Sequence, residues 1–196
     1  MKLIVAKTPA ALSQAFRVPF ENEGWQADVD TPHFTAAPYP LITNQRPVRL
    51  QCFEYGFFLY LGDEQTLLKR IPTAGVEQVF EKPAFACVKT QRCLIPLTSF
   101  CTIDTQTRKE VEVSIPDSSL LYAAGIYETV TTKEGEQVNT FLLLTQPLLH
   151  PAIKRIPYLL ENGAHRSWLQ EGPIAEDYFS SLKPFDVSRL ALKPRS

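Results

Sequence analysis

Apolar and polar residues along most of this chain recur with the period of strands, and helical periodicity is confined to short stretches. Residues 2–6 (KLIVA) open an apolar strand. Thr8 and Pro9 then make a helix start, an N-cap followed by proline at the first helical position. Ala11, Leu12, Ala15 and Phe16 fall at helical spacing and give one apolar face as far as about Val18. Residues 19–30 are acidic and loop-like, with Trp25 as a core anchor. Residues 41–58 read as strands with a turn near Asn44 and Gln45. Further strands are expected at 110–115, with its two acids facing solvent, at 120–127 and at 140–145; a hairpin loop carrying Gly135 covers 131–138. Short helices are expected at 164–169 and 174–182.

The rest of the chain is organised around residues 82–103, KPAFACVKTQRCLIPLTSFCTI. Residues 84–89 form a short amphipathic segment, and 92–97 a buried strand whose Pro96 marks its end or a bulge. Arg92 opens that apolar strand. A desolvated, unpaired charge is costly, so a structural salt bridge is expected for it. Many short strands with few long helical patterns define an α+β fold, a strongly curved mixed sheet flanked by short helices. Cys93, Leu94, Ile95, Ala124 and Ile126 are expected in its core.

Composition narrows the function classes. With 196 residues, 44% of them hydrophobic, the chain builds one substantial core, and a single domain over 1–196 is expected. A net charge of −1 and a pI near 6.3 give no global cationic field, so nucleic-acid contact needs a local patch. MKLIV starts a strand that Thr8 and Pro9 interrupt before a signal-peptide core develops. No apolar run approaches the roughly 20 residues of a membrane helix, and a cytoplasmic location without membrane contact is expected. Cys52, Cys87, Cys93 and Cys101 form no CxxC pair, and the three histidines lie far from them. Neither a metal site nor a cofactor is expected; the cysteines read as reduced, buried thiols.

KPAF, a spacer and RCLIPLTSF resemble the KPAF…RCLVPADGFYEW core of the SOS response-associated peptidase (SRAP) family. Outlying segments agree in order. Residues 32–38 (PHFTAAP) resemble the family's PRYNIAP, with His33 read as structural. Tyr55, Gly56 and Phe57 stand at its WGL, and 124–128 (AGIYE) at its AGLWE. At its NARAET this chain has Thr73 for the asparagine and Gly75 for the phosphate-binding arginine, and keeps Glu77. Residues 150–157 (HPAIKRIP) resemble IHDRMP, with Ile153 at the catalytic histidine and Arg155 and Pro157 kept. The family opens MCGRF, and the nucleophile's position here holds Lys2.

The resemblance implies a barrel-like SRAP fold and a test of its chemistry position by position. The family traps abasic sites in single-stranded DNA: the amine and thiol of its terminal cysteine close a thiazolidine on the opened sugar. A glutamate and a histidine handle protons, and an asparagine orients the site. Those four positions hold Lys2, Thr102, Ile153 and Thr73. A threonine hydroxyl is no base near neutral pH, and isoleucine moves no proton. The terminal position of Lys2 favours fraying into water, which leaves it charged and inert. His150 lies one helical turn from Ile153 and reaches the same region; Cys101 stands where the family carries a tyrosine near its site.

A degenerate member is therefore expected, one that has lost crosslinking and self-processing and binds single-stranded, abasic or junction DNA weakly. Arg155, Lys154, Lys69, Arg70 and Lys82 are the candidate phosphate contacts, with Tyr55 to stack on a base. Two alternatives stand beside it. The old groove meets a protein partner as an interaction or regulatory module, or Lys2 forms imines with aldehydes.

Overall fold

The computed structural model describes residues 1–22, 24–27, 38–61, 66–117, 120–132, 134–161 and 163–195, with the side chains of 59–61, 66–69 and 84 outside that description. The chain opens with β1 (Lys2–Ile4) and helix α1 (Pro9–Phe16), then β2 (Pro38–Thr43), β3 (Gln51–Tyr55) and a ribbon of β4 (Phe57–Leu61) and β5 (Thr66–Ile71). A short β6 (Thr73–Gly75) and a 3₁₀ segment (Pro83–Lys89) lead into β7 (Arg92–Leu97), β8 (Ser99–Ile103) and β9 (Glu110–Ser114). The hairpin of β10 (Leu121–Thr131) and β11 (Gln137–Pro147) follows. Then come β12 (Arg155–Pro157), helices α2 (Ala164–Trp168) and α3 (Tyr178–Ser181), and β13 (Ala191–Pro194).

Strands β10, β7, β2, β3 and β11 lie side by side in that order, and the β10–β11 pairing closes them into a five-stranded barrel. The sheet is mixed, because β11 runs parallel to β3 and to β6 and antiparallel to β10 and β12. A second, antiparallel sheet, β1-β8-β9-β13, packs its apolar face on the barrel. The fold is thus α+β with a curved, barrel-like core. Among the described residues no helix is long and apolar enough to cross a membrane.

The central apolar run is explained by what covers each side of β7. Cys93, Ile95 and Leu97 point into one cluster with Leu41, Phe53, Phe141 and Phe100. Leu94 points the other way, onto Ile42, Ala124, Ile126 and Leu12 of α1. Both faces are buried, so no alternation survives in its sequence. Cys93, Leu94, Ile95, Ala124 and Ile126 all lie in the core as expected, none more than 2% exposed. Pro96 does not end the strand. It pairs with Tyr122 of β10, while β2 pairs with β7 only at Leu94 and Cys93, so no bond on that side needs its missing N–H.

Gly125 of β10 is fixed by close approach. A Cβ there would lie 2.5 Å from Ile95 Cδ1, 2.9 Å from Cys93 Sγ and 2.9 Å from the Leu142 carbonyl. Helix α1 begins as its sequence predicts, with the Thr8 hydroxyl accepting from Ala11 N at 3.2 Å and Pro9 in its first turn. Trp25 is a core anchor, its indole donating to the Pro38 carbonyl at 2.9 Å.

Arg92 departs from expectation. It is fully buried, yet its bonds go to main-chain carbonyls rather than to a carboxylate. Nε donates to Trp168 at 2.9 Å, Nη1 to Lys89 at 2.7 Å and to Gly172 at 3.1 Å, and Nη2 to Gln170. The carbonyls at the end of α2 have no intrahelical donors and carry partial negative charge, which is what the guanidinium uses. The helix expected at 174–182 shrinks to Tyr178–Ser181, and β13 is an edge strand that no alternation in its sequence announced. Residues 32–37, His33 among them, lie outside the described residues.

Candidate functional site

The ends of four strands build an open cleft. Thr145 near the end of β11 sits between Gly75 of β6 and Pro157 of β12 in the pairing register. Its hydroxyl donates to the Ala74 carbonyl at 3.1 Å and accepts from Arg155 Nε at 3.1 Å. Arg155 Nη2 also donates to the Thr145 carbonyl at 2.9 Å, so β11 fixes the plane of the guanidinium. Its outer edge forks onto Glu77, with Nη1 to Oε1 at 2.6 Å and Nη2 to Oε2 at 2.9 Å. That bond from Arg155 is the chief reason the Glu77 carboxyl sits below its usual range.

Met1, Thr73, Thr102, Ile103, Thr105 and Lys154 line the remainder of this cleft, about 420 Å³ in volume, with Gln78 beside Glu77. Two loops are stapled together at its edge. Thr105 donates its N–H to the Ala152 carbonyl at 2.9 Å and its hydroxyl to the Pro151 carbonyl at 3.0 Å. His150 accepts from Ala152 N through Nδ1 at 3.1 Å, so it closes its own loop and does not line the cleft.

The structure gathers some of the positions singled out in the sequence and separates others. Thr73, Thr102, Lys154 and Arg155 share the cleft, and Lys82 joins its rim by donating to Gln78 Oε1 at 2.7 Å. Ile153 does not reach it: the side chain is 1% exposed and packs in the barrel core. Lys2 is not frayed. It pairs with Cys101 across β1 and β8 and is 9% exposed, because the strand ladder begins at that residue. Cys101 is buried under Arg195, whose Nη1 lies 3.5 Å from its sulfur, and burial raises its thiol pKa.

Tyr55 and Arg70 are placed elsewhere. Tyr55 faces inward, its ring stacked on Phe141 at 5.1 Å and its hydroxyl donating to the Met1 carbonyl at 3.3 Å, so it offers no face to a base. Arg70 sits on the β4–β5 ribbon, paired to Glu54 Oε2 at 2.5 Å and lying over the Phe58 ring. Neither lines the cleft. Lys69 pairs with Leu59 on that ribbon, and its side chain lies outside the described residues.

Sequence reasoning missed Thr145, Gln78 and Thr105. Thr145 had a signal, a hydroxyl that ends the apolar run of 141–144. The other two had none, since their place depends on loops meeting in space. Among the described residues no cluster of three His, Cys, Asp or Glu is arranged to hold a metal ion.

Fold and site together define a mixed-sheet β-barrel protein with an open, hydroxyl-lined cationic cleft where β6, β8, β11 and β12 come together. The family described as SOS response associated peptidase (SRAP) matches residues 2–195, and the chain belongs to it. It is 26% identical over 168 residues to the abasic site processing protein YoqW of Bacillus subtilis, covering 80% of this chain and 75% of that one. The abasic site processing protein YoaM of the same organism is equally similar, at 26% over 168 residues, with 80% of this chain and 74% of that one covered. Among solved structures, a Bacteroides thetaiotaomicron protein superposes with a TM-score of 0.82 at 20% identity, covering 98% of this chain and 90% of that one. A Bordetella bronchiseptica protein does so with a TM-score of 0.78 at 19% identity, covering 100% and 98%.

Proposed function

We propose that this protein binds single-stranded or abasic-site DNA through phosphate contacts in the cleft and forms no durable covalent link to it. The observation that carries the reading is the lining of the cleft. Lys154 and Arg155 supply cations, Thr73, Thr102 and Thr105 supply hydroxyls, and Glu77 is the one carboxylate among the described lining residues. Glu77 is held ionised by Arg155 and so is a poor proton donor. Contacts of this kind give affinity without sequence preference. The names of the Bacillus relatives, abasic site processing proteins, support DNA as the partner. The free thiols Cys52, Cys87, Cys93 and Cys101 suit a cytoplasmic protein.

The test is a gel shift with a single-stranded oligonucleotide carrying one abasic site, run with and without borohydride. The expected result is a salt-sensitive complex that Arg155→Ala weakens and that heat dissociates. Retention that ignores both salt and Arg155→Ala would favour a protein partner for the groove.

One observation favours a second reading. Met1 lines the cleft, and burial holds its α-amine below the ordinary range, against opposing pulls from Cys101 and Glu110. Where Met1 carries a free α-amine, a larger neutral fraction is available to add to an aldehyde carbon, and loss of water then leaves an imine. No thiol stands on the same residue to close a ring, so this adduct is reversible. Borohydride followed by peptide mapping separates the cases: label on Met1 supports α-amine chemistry, label on Lys2 supports the ε-amine, and no label supports binding alone.

A further inference from the structure

We propose that the Arg155 guanidinium is an oxyanion site whose resting occupant is the protein's own Glu77 carboxylate, which a backbone phosphate displaces on entering the cleft. This rests on the DNA-binding reading and says how that site is regulated.

Three observations carry it. Arg155 is anchored on its inner side by Thr145, through Nε to the hydroxyl and Nη2 to the carbonyl, so its outer fork keeps one direction whatever sits before it. That fork holds Glu77 bidentately, and a carboxylate gripped this way occupies the geometry a phosphate would take. Glu77 is also free to leave: its side chain is 45% exposed.

Gly75 makes the closed fork possible. A Cβ at that position would lie 2.5 Å from Glu77 Oε1 and 2.7 Å from Arg155 Nη2. Any larger residue there pushes the pair apart, so the internal ligand depends on Gly75, Glu77 and Arg155 together. When Glu77 swings out to water, the Thr73 and Thr102 hydroxyls and the Lys154 ammonium of the same cleft remain to serve the incoming oxyanion. Because Arg155 keeps Glu77 ionised, competition rather than protonation opens the site near neutral pH.

The experiment measures binding of a fluorescently labelled single-stranded oligonucleotide by anisotropy, and of inorganic phosphate by calorimetry. It compares wild type, Glu77→Gln, Gly75→Ala and Arg155→Ala, with Glu81→Gln as the same charge change on an exposed residue nearby. Thermal unfolding checks that each variant is folded. Glu77→Gln is expected to tighten both ligands about three- to tenfold, the scale of one exposed charge-assisted fork released. Gly75→Ala, whose methyl crowds Arg155 Nη2 as well as any oxyanion held on the fork, should weaken both ligands; Glu81→Gln should change little, and adding Arg155→Ala to Glu77→Gln should erase the gain. Equal binding by wild type and Glu77→Gln, or an equal gain from Glu81→Gln, overturns the proposal. Phosphate binding that Glu77→Gln strengthens, with no oligonucleotide binding by any variant, keeps the oxyanion site and overturns the DNA reading instead.

Discussion

Arg92 and Trp168 are locked together from both ends of their side chains. Arg92 Nε donates to the Trp168 carbonyl at 2.9 Å, while the Trp168 indole donates to the carbonyl of Cys93, the next residue of β7, at 2.8 Å. The guanidinium carbon also lies 5.7 Å from the indole centroid. This double tie docks the segment after the barrel onto its central strand. Arg92→Leu leaves the buried Trp168 carbonyl and three part-buried carbonyls without this donor and should cost about 3 kcal/mol, read from denaturant unfolding. Trp168 fluorescence should shift red in the same variant, because its helix loosens.

A second prediction concerns the barrel interior. Gly125→Ala places a methyl against the backbone carbonyl of Leu142 as well as the Ile95 and Cys93 side chains. The side chains can give way and the carbonyl cannot, so a loss of about 1–3 kcal/mol is expected in chemical denaturation. A variant as stable as wild type would mean that β10 and β11 separate more easily than this packing implies.

The pH dependence of stability should carry the mark of His165. Burial lowers its pKa from the ordinary value of 6.5, against smaller opposing effects from the Leu160 carbonyl and Glu161. The ring lies 4.3 Å from that of Tyr122. With the folded pKa below the unfolded one, the unfolded chain binds more protons, so stability falls as pH drops below 6.5. Glu128 has the opposite sign, because burial raises its pKa and the folded state holds its proton more tightly. Comparing wild type with His165→Gln isolates the histidine: thermal midpoints of the variant should change less between pH 7 and pH 5.

The fold was legible wherever a physical pattern is local. Thr8 and Pro9 place α1, and the apolar run at 93–95 places the barrel's central strand. The matched motifs also placed Thr73, Thr102, Lys154 and Arg155, which the topology brings into one cleft. Partners set by long-range geometry were not legible. Arg92 meets carbonyls 76 to 80 residues away, which no spacing rule reveals. Tyr55 reads as an aromatic near a groove, and only the pairing of β3 with β11 stacks it on Phe141.

The cleft's cations should not contribute equally to DNA binding. Arg155→Ala and Lys154→Ala are each expected to weaken oligonucleotide binding a few-fold and to reduce the dependence of log K on log salt by about one. Lys82→Ala should do less, since its ammonium is at the rim on Gln78. Arg70→Ala should leave both quantities unchanged, its guanidinium being committed to Glu54 and the Phe58 ring. Equal losses from Arg70 and Arg155 would place the DNA path along the β4–β5 ribbon rather than the cleft.

The family's covalent chemistry should not return with a single substitution. Lys2→Cys restores a thiol beside an amine only once Met1 is removed, and the proton-handling positions remain Thr102 and Ile153. Thr102 lies in the cleft, so Thr102→Glu places a carboxylate in its lining. Ile153 differs, because its side chain is 1% exposed within the barrel core. Ile153→His puts a polar ring among apolar neighbours and should cost about 1–3 kcal/mol unless the loop at 148–154 repacks to turn it toward the cleft. Heat-stable adducts with an abasic oligonucleotide, resolved on a denaturing gel, should therefore be absent for wild type and scarce for Lys2→Cys. They should increase for Lys2→Cys with Thr102→Glu and remain incomplete until position 153 is rebuilt with its loop. Efficient heat-stable trapping by wild type, abolished by Lys2→Ala, would make the present residues a working catalytic set and defeat this account of the cleft.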